Sequence, residues 1–217
     1  MNSKFNVAIN IILVSCALVI TYFVIKKEFF SSNNTNEKKK VENWNSLIRS
    51  KRSFGNPNSE IKVILFSDYN CPYCNIMNST LNELIQQRKD IYIAYYEYPR
   101  EGNESSFEAS LAALCASYQN KYLEYRRILF DRNDLREIKN WQKIADLVGV
   151  KDKTTFAKCL NEKLSEEELI NEIYTSKNFD IRYTPSLIIN GYLIEGSISK
   201  NDLQKIISEI LPVKKKK

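Results

Sequence analysis

The stretch Cys71-Pro72-Tyr73-Cys74 constrains this chain more than any other. It follows an apolar run, Ile61-Lys62-Val63-Ile64-Leu65-Phe66, and opens a helical pattern through Ile76, Met77, Leu81, Leu84 and Ile85. A pair of cysteines two residues apart at a strand-to-helix junction has the logic of a redox couple. Cys71 falls at the helix N-cap, where unpaired N–H groups and the positive end of the dipole favour a thiolate. Pro72 falls at the first helical position, where its missing N–H costs nothing. Cys74 lies one turn on, within reach of the first sulfur. The competing reading is half of a zinc site, which needs a second close pair of ligands. The chain has no histidine and its other cysteines are scattered, so no metal is expected.

The 217 residues suit one domain, or one domain with an insertion. Only 5 Gly and 5 Pro argue against a loop-rich or all-β architecture. The formal charge of +6 is modest, and lysines cluster only at Lys38-Lys39-Lys40 and from Lys214 to Lys217. Such runs read as solvated tails, so nucleic acid is not an expected partner. Of five cysteines, Cys16 lies in an apolar N-terminal segment. The remaining four, Cys71, Cys74, Cys115 and Cys159, suit an oxidising compartment with one catalytic and one structural pair.

Residues 7–25 carry no charge and are long enough to cross a bilayer as a helix. No small-residue cleavage site precedes Lys26, so an uncleaved signal anchor over residues 1–25 is expected. Leu13-Val14-Ser15-Cys16 offers an alternative, a lipoprotein processing site with Cys16 lipidated. Flanking lysines would keep the rest of the chain inside, but long domains translocate largely regardless of them. The cysteine usage favours a single-pass protein of the cytoplasmic membrane, its catalytic domain on the periplasmic or outer surface.

Residues 26–52 read as a tether with a short helix around Trp44, Leu47 and Ile48, and Gly55-Asn56-Pro57-Asn58 as a turn. After the first strand and the Cys71 helix, Ile91 to Tyr96 is β-branched and aromatic and reads as the next strand. Apolar stripes then mark successive helices: Phe107 to Cys115, Tyr122 to Leu129, Trp141 to Val148, Phe156 to Leu160, and a fifth from a capping box at Ser165-Glu166-Glu167-Glu168. Two strands, Ser186 to Asn190 and Tyr192 to Glu195, flank an Asn190-Gly191 turn, and Ser199 to Ile210 is a closing amphipathic helix. A βαβ unit and a terminal ββα unit separated by helices is the layout of an α/β thioredoxin fold with an inserted all-helical domain. The expected divisions are the anchor, the tether, a domain over 53–210 with its insert at about 103–178, and a basic tail over 211–217.

The segment from Ser53 through Phe66-Ser67-Asp68-Tyr69-Asn70-Cys71-Pro72-Tyr73-Cys74 resembles the start of the DsbA-like thiol-disulfide oxidoreductases. Thr184-Pro185-Ser186-Leu187-Ile188-Ile189-Asn190-Gly191 resembles that family's cis-proline loop, and Ala109 to Ala116 and Phe156 to Leu160 resemble segments of its insert. The resemblance covers about residues 53–210. It implies an exposed nucleophile at Cys71, a buried resolving cysteine at Cys74 and a cis-proline at Pro185. With Pro185 cis, the Thr184 backbone is left to pair with an extended substrate. Without the resemblance, Thr184-Pro185 reads as a plain turn.

Tyr73 stands where the best-known members carry a histidine, which implies a less oxidising couple. Asp68 matches the family as well. It either tunes the cysteines or, the favoured reading, hydrogen-bonds the loop before the helix. Cys115 and Cys159 are either two buried thiols or, as favoured, a disulfide. That bridge would be worth on the order of 4 kcal/mol in the chain-entropy model.

The implied function is an oxidase that introduces disulfides into translocated proteins, with no organic cofactor. Re-oxidation by a quinone-linked membrane partner of the DsbB or vitamin K epoxide reductase type is implied too. A reductase or isomerase using the same pair is the alternative, and a chaperone-like binding module with structural cysteines a third.

Overall fold

The computed structural model describes residues 13–22, 39–49 and 51–211. The chain divides into two units, Met1–Glu37 and Lys38–Lys217. In the first, residues 13–22 form a helix, α1, with Cys16 exposed on it. Among the described residues, no helix is long and apolar enough to cross a membrane. The single-pass anchor and the location built on it are therefore corrected and not carried forward. The rest of the 7–25 segment, the polar run before Lys38 and the tail after Leu211 lie outside the described residues.

The second unit is built on a six-stranded sheet. Its strands are β1 (Lys39–Lys40), β2 (Ser53–Phe54), β3 (Ile61–Ser67), β4 (Ile91–Glu97), β5 (Ser186–Ile189) and β6 (Tyr192–Glu195). They lie in the order β1-β6-β5-β3-β4-β2, with only β3 and β4 parallel. That parallel pair needs a crossover, and α2 (Pro72–Gln87) supplies it. β3 and β4 are covered on both faces, which is why they read as continuous apolar runs. The β5–β6 hairpin turns on Asn190 and Gly191, with φ of 45° and 89°, as a two-residue hairpin turn demands. Asn190 is also tied to the neighbouring strand, its side chain accepting from the Lys62 N–H at 2.8 Å.

One sheet face packs on α2 and on the closing helix α9 (Lys200–Ile210), through Met77, Leu81, Leu84, Leu203 and Ile207. Ser199 caps α9 by accepting from the Asp202 N–H at 3.1 Å. The other face presents Ile64, Phe66, Tyr92, Ala94, Tyr96 and Ile188 and is covered by Leu47, with Val41, Trp44 and Ile48 beside it. Residues 41–48, within the stretch expected as a tether and short helix, thus cover part of this face together with Phe179 and Ile181. Only Trp44–Leu47 is helical, as a single 3-10 turn. A two-faced apolar sheet requires such a cover, and one fully buried leucine contributes roughly 2 kcal/mol.

Between β4 and β5 come six helices: α3 (Glu104–Ser117), α4 (Tyr122–Asp131), α5 (Asn133–Glu137), α6 (Trp141–Leu147), α7 (Lys153–Asn161) and α8 (Glu166–Asn178). The short α5 has no counterpart among the five expected. Asn103, Asn140 and Asp152 cap α3, α6 and α7 through their side chains. The capping box expected at Ser165 does not form. Ser165 is buried, and its hydroxyl donates to the Leu111 carbonyl at 3.2 Å instead. A disulfide joins Cys115 on α3 to Cys159 on α7, with Cα atoms 5.8 Å apart. Glu172 clamps α8 to the sheet: its Oε1 accepts from Arg49 and Arg52, and its Oε2 accepts the Glu97 N–H at 2.7 Å.

Candidate active site

The end of β3 places Cys71 at the N-cap of α2, in extended conformation, with Pro72 as the first helical residue. No side chain caps this helix, so its first N–H groups are left to face the Cys71 sulfur. Cys71 is partly exposed and Cys74 is buried, both as free thiols. The loop before β5 closes over the pair. The Thr184–Pro185 peptide bond is cis, and Cys71 Sγ donates to the Thr184 carbonyl at 3.2 Å. Residues separated by more than a hundred positions thus meet at one sulfur.

The two thiols differ sharply in acidity. Cys71 is lowered to about 6, first by the hydrogen bond from the Cys74 thiol. Burial opposes this, while the Cys74 N–H, the Thr184 side chain and the Tyr73 N–H support it. Cys74 is pushed up, first by burial and then by the hydrogen bond to Cys71, although the Asp68 N–H donates to its sulfur at 3.4 Å. At neutral pH one sulfur is a thiolate and its neighbour a thiol, the arrangement that thiol–disulfide exchange uses. The stabilisation comes from the helix end and the paired thiol, with no imidazole in the chain.

The other expected site residues take distinct positions. The Tyr73 ring is 61% exposed and stands beside the pair. The Asp68 carboxylate is buried and accepts from the Asn70 N–H at 2.8 Å, the Arg100 N–H at 3.0 Å and the Ser106 hydroxyl, so it ties the loop together. Cys115 and Cys159 belong to the insert's bridge.

A groove of about 1100 Å³ includes Cys71, Pro72, Tyr73 and Thr184 and is walled by Tyr98, Phe107, Ile170, Ile173, Tyr174 and Tyr183. The α8 contribution to this wall was not foreseen. The apolar residues of α8 read as core, yet Ile170 and Tyr174 are exposed. Also unforeseen is Glu97, buried at the end of β4, whose only sequence signal is an acid closing an apolar run.

A family model described as thioredoxin matches residues 49–209. The chain belongs to the thioredoxin family.

Among known thioredoxin-family relatives, a Rickettsia bellii protein named as a protein-disulfide oxidoreductase is 28% identical over 171 residues, 75% of this chain. The chain spans 65% of that relative's length, just under two thirds. A thioredoxin-like oxidoreductase of Silicibacter pomeroyi superposes with a TM-score of 0.68 at 24% identity, covering 78% of this chain and 97% of that one. The thiol-disulfide exchange protein α-DsbA2 of Wolbachia pipientis does so with 0.65 at 22% identity, covering 77% and 91%. The DsbA-like resemblance therefore holds for the fold.

Proposed function

We propose that this chain is a thiol-disulfide oxidoreductase acting on protein substrates, and that it works as an oxidase through Cys71 and Cys74. In the oxidised enzyme the two sulfurs are bonded. A substrate thiolate attacks Cys71, the Cys71–Cys74 bond breaks, and Cys74 leaves with the electron pair and takes up a proton. A second substrate thiolate then attacks the substrate sulfur of the mixed disulfide and releases Cys71 as a thiolate. The substrate gains one disulfide and the enzyme two electrons. Re-oxidation requires an electron acceptor, in this reading a quinone-linked redox partner of the DsbB or vitamin K epoxide reductase type. No organic cofactor enters, because the sulfurs carry the electrons.

The asymmetry of the pair carries the reading. Cys71 is accessible and a good leaving group, and a stabilised thiolate favours the reduced enzyme, which makes the disulfide an oxidant. Thr184 and Pro185 face Cys71, where an extended substrate backbone would lie. The groove beside them suits unfolded, apolar polypeptide. Pro72 starts the helix, Tyr73 flanks the leaving sulfur, and Asp68 holds the loop.

The deciding measurement is the reduction potential of the Cys71–Cys74 couple, with turnover on a reduced unfolded protein. A potential above roughly −180 mV with net disulfide formation supports the oxidase. A value near about −270 mV with net disulfide cleavage assigns the reductase direction instead.

A further inference from the structure

Glu97 takes no part in the exchange steps above, yet it is one of the most heavily hydrogen-bonded side chains of the second unit. It ends β4 opposite Ser67, the last residue of β3, and is 1% exposed. The Tyr69 and Tyr122 hydroxyls donate to its Oε1 at 2.7 and 2.6 Å, and the Ser110 hydroxyl donates to its Oε2 at 3.1 Å. The charges facing it are Arg126 on α4 and Glu172 on α8, the latter neutralised by Arg49 and Arg52. Arg126 itself is bonded to Asn78 and Ser67 and lies over the rings of Tyr95 and Phe130. Burial, with Tyr69 and Tyr122 opposing it and Glu172 adding to it, raises the Glu97 carboxyl to about 7. Both tyrosines are held well above their ordinary range by burial and stay protonated donors.

One of those donors belongs to the cysteine loop. Tyr69 sits two residues before Cys71 and directly after Asp68, whose N–H bonds the Cys74 sulfur and whose carbonyl accepts the Cys71 N–H at 3.2 Å. Three hydroxyl donors around two carboxylate oxygens suit the ionised acid. A proton on Oε2 displaces the Ser110 donor and leaves Tyr69 and Tyr122 on a neutral carbonyl oxygen, a weaker acceptor than the carboxylate. We propose that Glu97 is a positioning residue for the exchange reaction: its carboxylate fixes Tyr69, and through Tyr69 the loop that sets Cys71 and the Asp68 N–H. The inference rests on Cys71 being the nucleophile.

The test is the pH dependence of alkylation of Cys71 in the reduced full-length protein, with thiolate ultraviolet absorbance followed in parallel. Thiolate forms as pH rises through about 6. The alkylation rate is expected to climb again through about 7 as Glu97 ionises, after absorbance has levelled. In E97Q the second rise disappears, and the plateau rate falls on the order of fivefold, as when one charge-assisted hydrogen bond becomes a neutral one. Y69F keeps the charge but cuts the link, and should lose the second rise too; it decides the matter if E97Q does not fold. A single ionisation in the wild type, or a second rise that survives in Y69F, overturns the proposal. Failure of wild-type Cys71 to exchange with any disulfide would instead overturn the functional reading on which it rests.

Discussion

The two cysteine pairs of the second unit use one element in opposite ways. Cys115 and Cys159 are 44 positions apart, both buried, and bonded to each other across two helices of the insert. Cys71 and Cys74 share one helix turn, and one of them reaches solvent. Both sulfurs of the insert lack an approach for a second thiolate. At the strand-to-helix junction, by contrast, the helix end, the neighbouring thiol and the Thr184 loop converge on one accessible sulfur. Reactivity is thus set by exposure and by which N–H groups are left unsatisfied, and only secondarily by the presence of a cysteine pair.

That contrast is sharpest if each pair is removed in turn. Cys71→Ser is expected to lower disulfide exchange with a peptide substrate by roughly a thousandfold or more while leaving the fold intact. Retained exchange would show that the insert's pair or Cys16 supplies the chemistry. The double change Cys115→Ala and Cys159→Ala should do the reverse. Exchange persists, but denaturant unfolding reports a loss of about 4 kcal/mol, the chain-entropy value for a loop of this length. A double variant as stable as the parent would mean that the bridge constrains nothing the packing does not already hold. The smallest effect is expected at Tyr73, which contributes only its backbone N–H to Cys71. Tyr73→His adds a donor beside the thiolate and should raise the reduction potential by roughly 30 mV, a tenfold change in equilibrium. An unchanged potential would show that the helix end already saturates the sulfur.

Much of this architecture was legible because local rules and tertiary packing agree. The apolar runs of β3 and β4, Pro72 at the helix start and the Asn190-Gly191 turn each say locally what the sheet requires. The cysteine pair was readable for the same reason, whereas the Thr184-Pro185 loop was legible only through the family resemblance. Legibility failed where a tertiary partner overrode the local signal. Ser165 carries a capping sequence, but Leu111 claims its hydroxyl. Asn133–Glu137 shows no apolar period, since so short a helix presents none. Trp44, Leu47 and Ile48 read as a short helix, yet their role as a cover for the second sheet face appears only once that face is seen. Glu97 gave almost no warning, because its donors come from the loop before α2 and from two helices remote in sequence. The apolar N-terminus misled in the opposite way: hydropathy alone suggested a span, whereas among the described residues no helix is long and apolar enough to cross a membrane.

The lid formed by Val41, Trp44, Leu47 and Ile48 bears on where this protein can be cut. The family match begins at residue 49, but the packed unit begins at Lys38. Trimming the chain to the family boundary would remove Trp44, which packs so closely on Gly191 that a Cβ there would lie 2.7 Å from the indole nitrogen. It would also strip β1 from β6 and bare Leu193, Tyr92 and Tyr96, creating a sticky open edge beside an oily face. The minimal folding fragment is therefore longer than the family's footprint, and its extra residues are those that cover the second sheet face and pair the β6 edge.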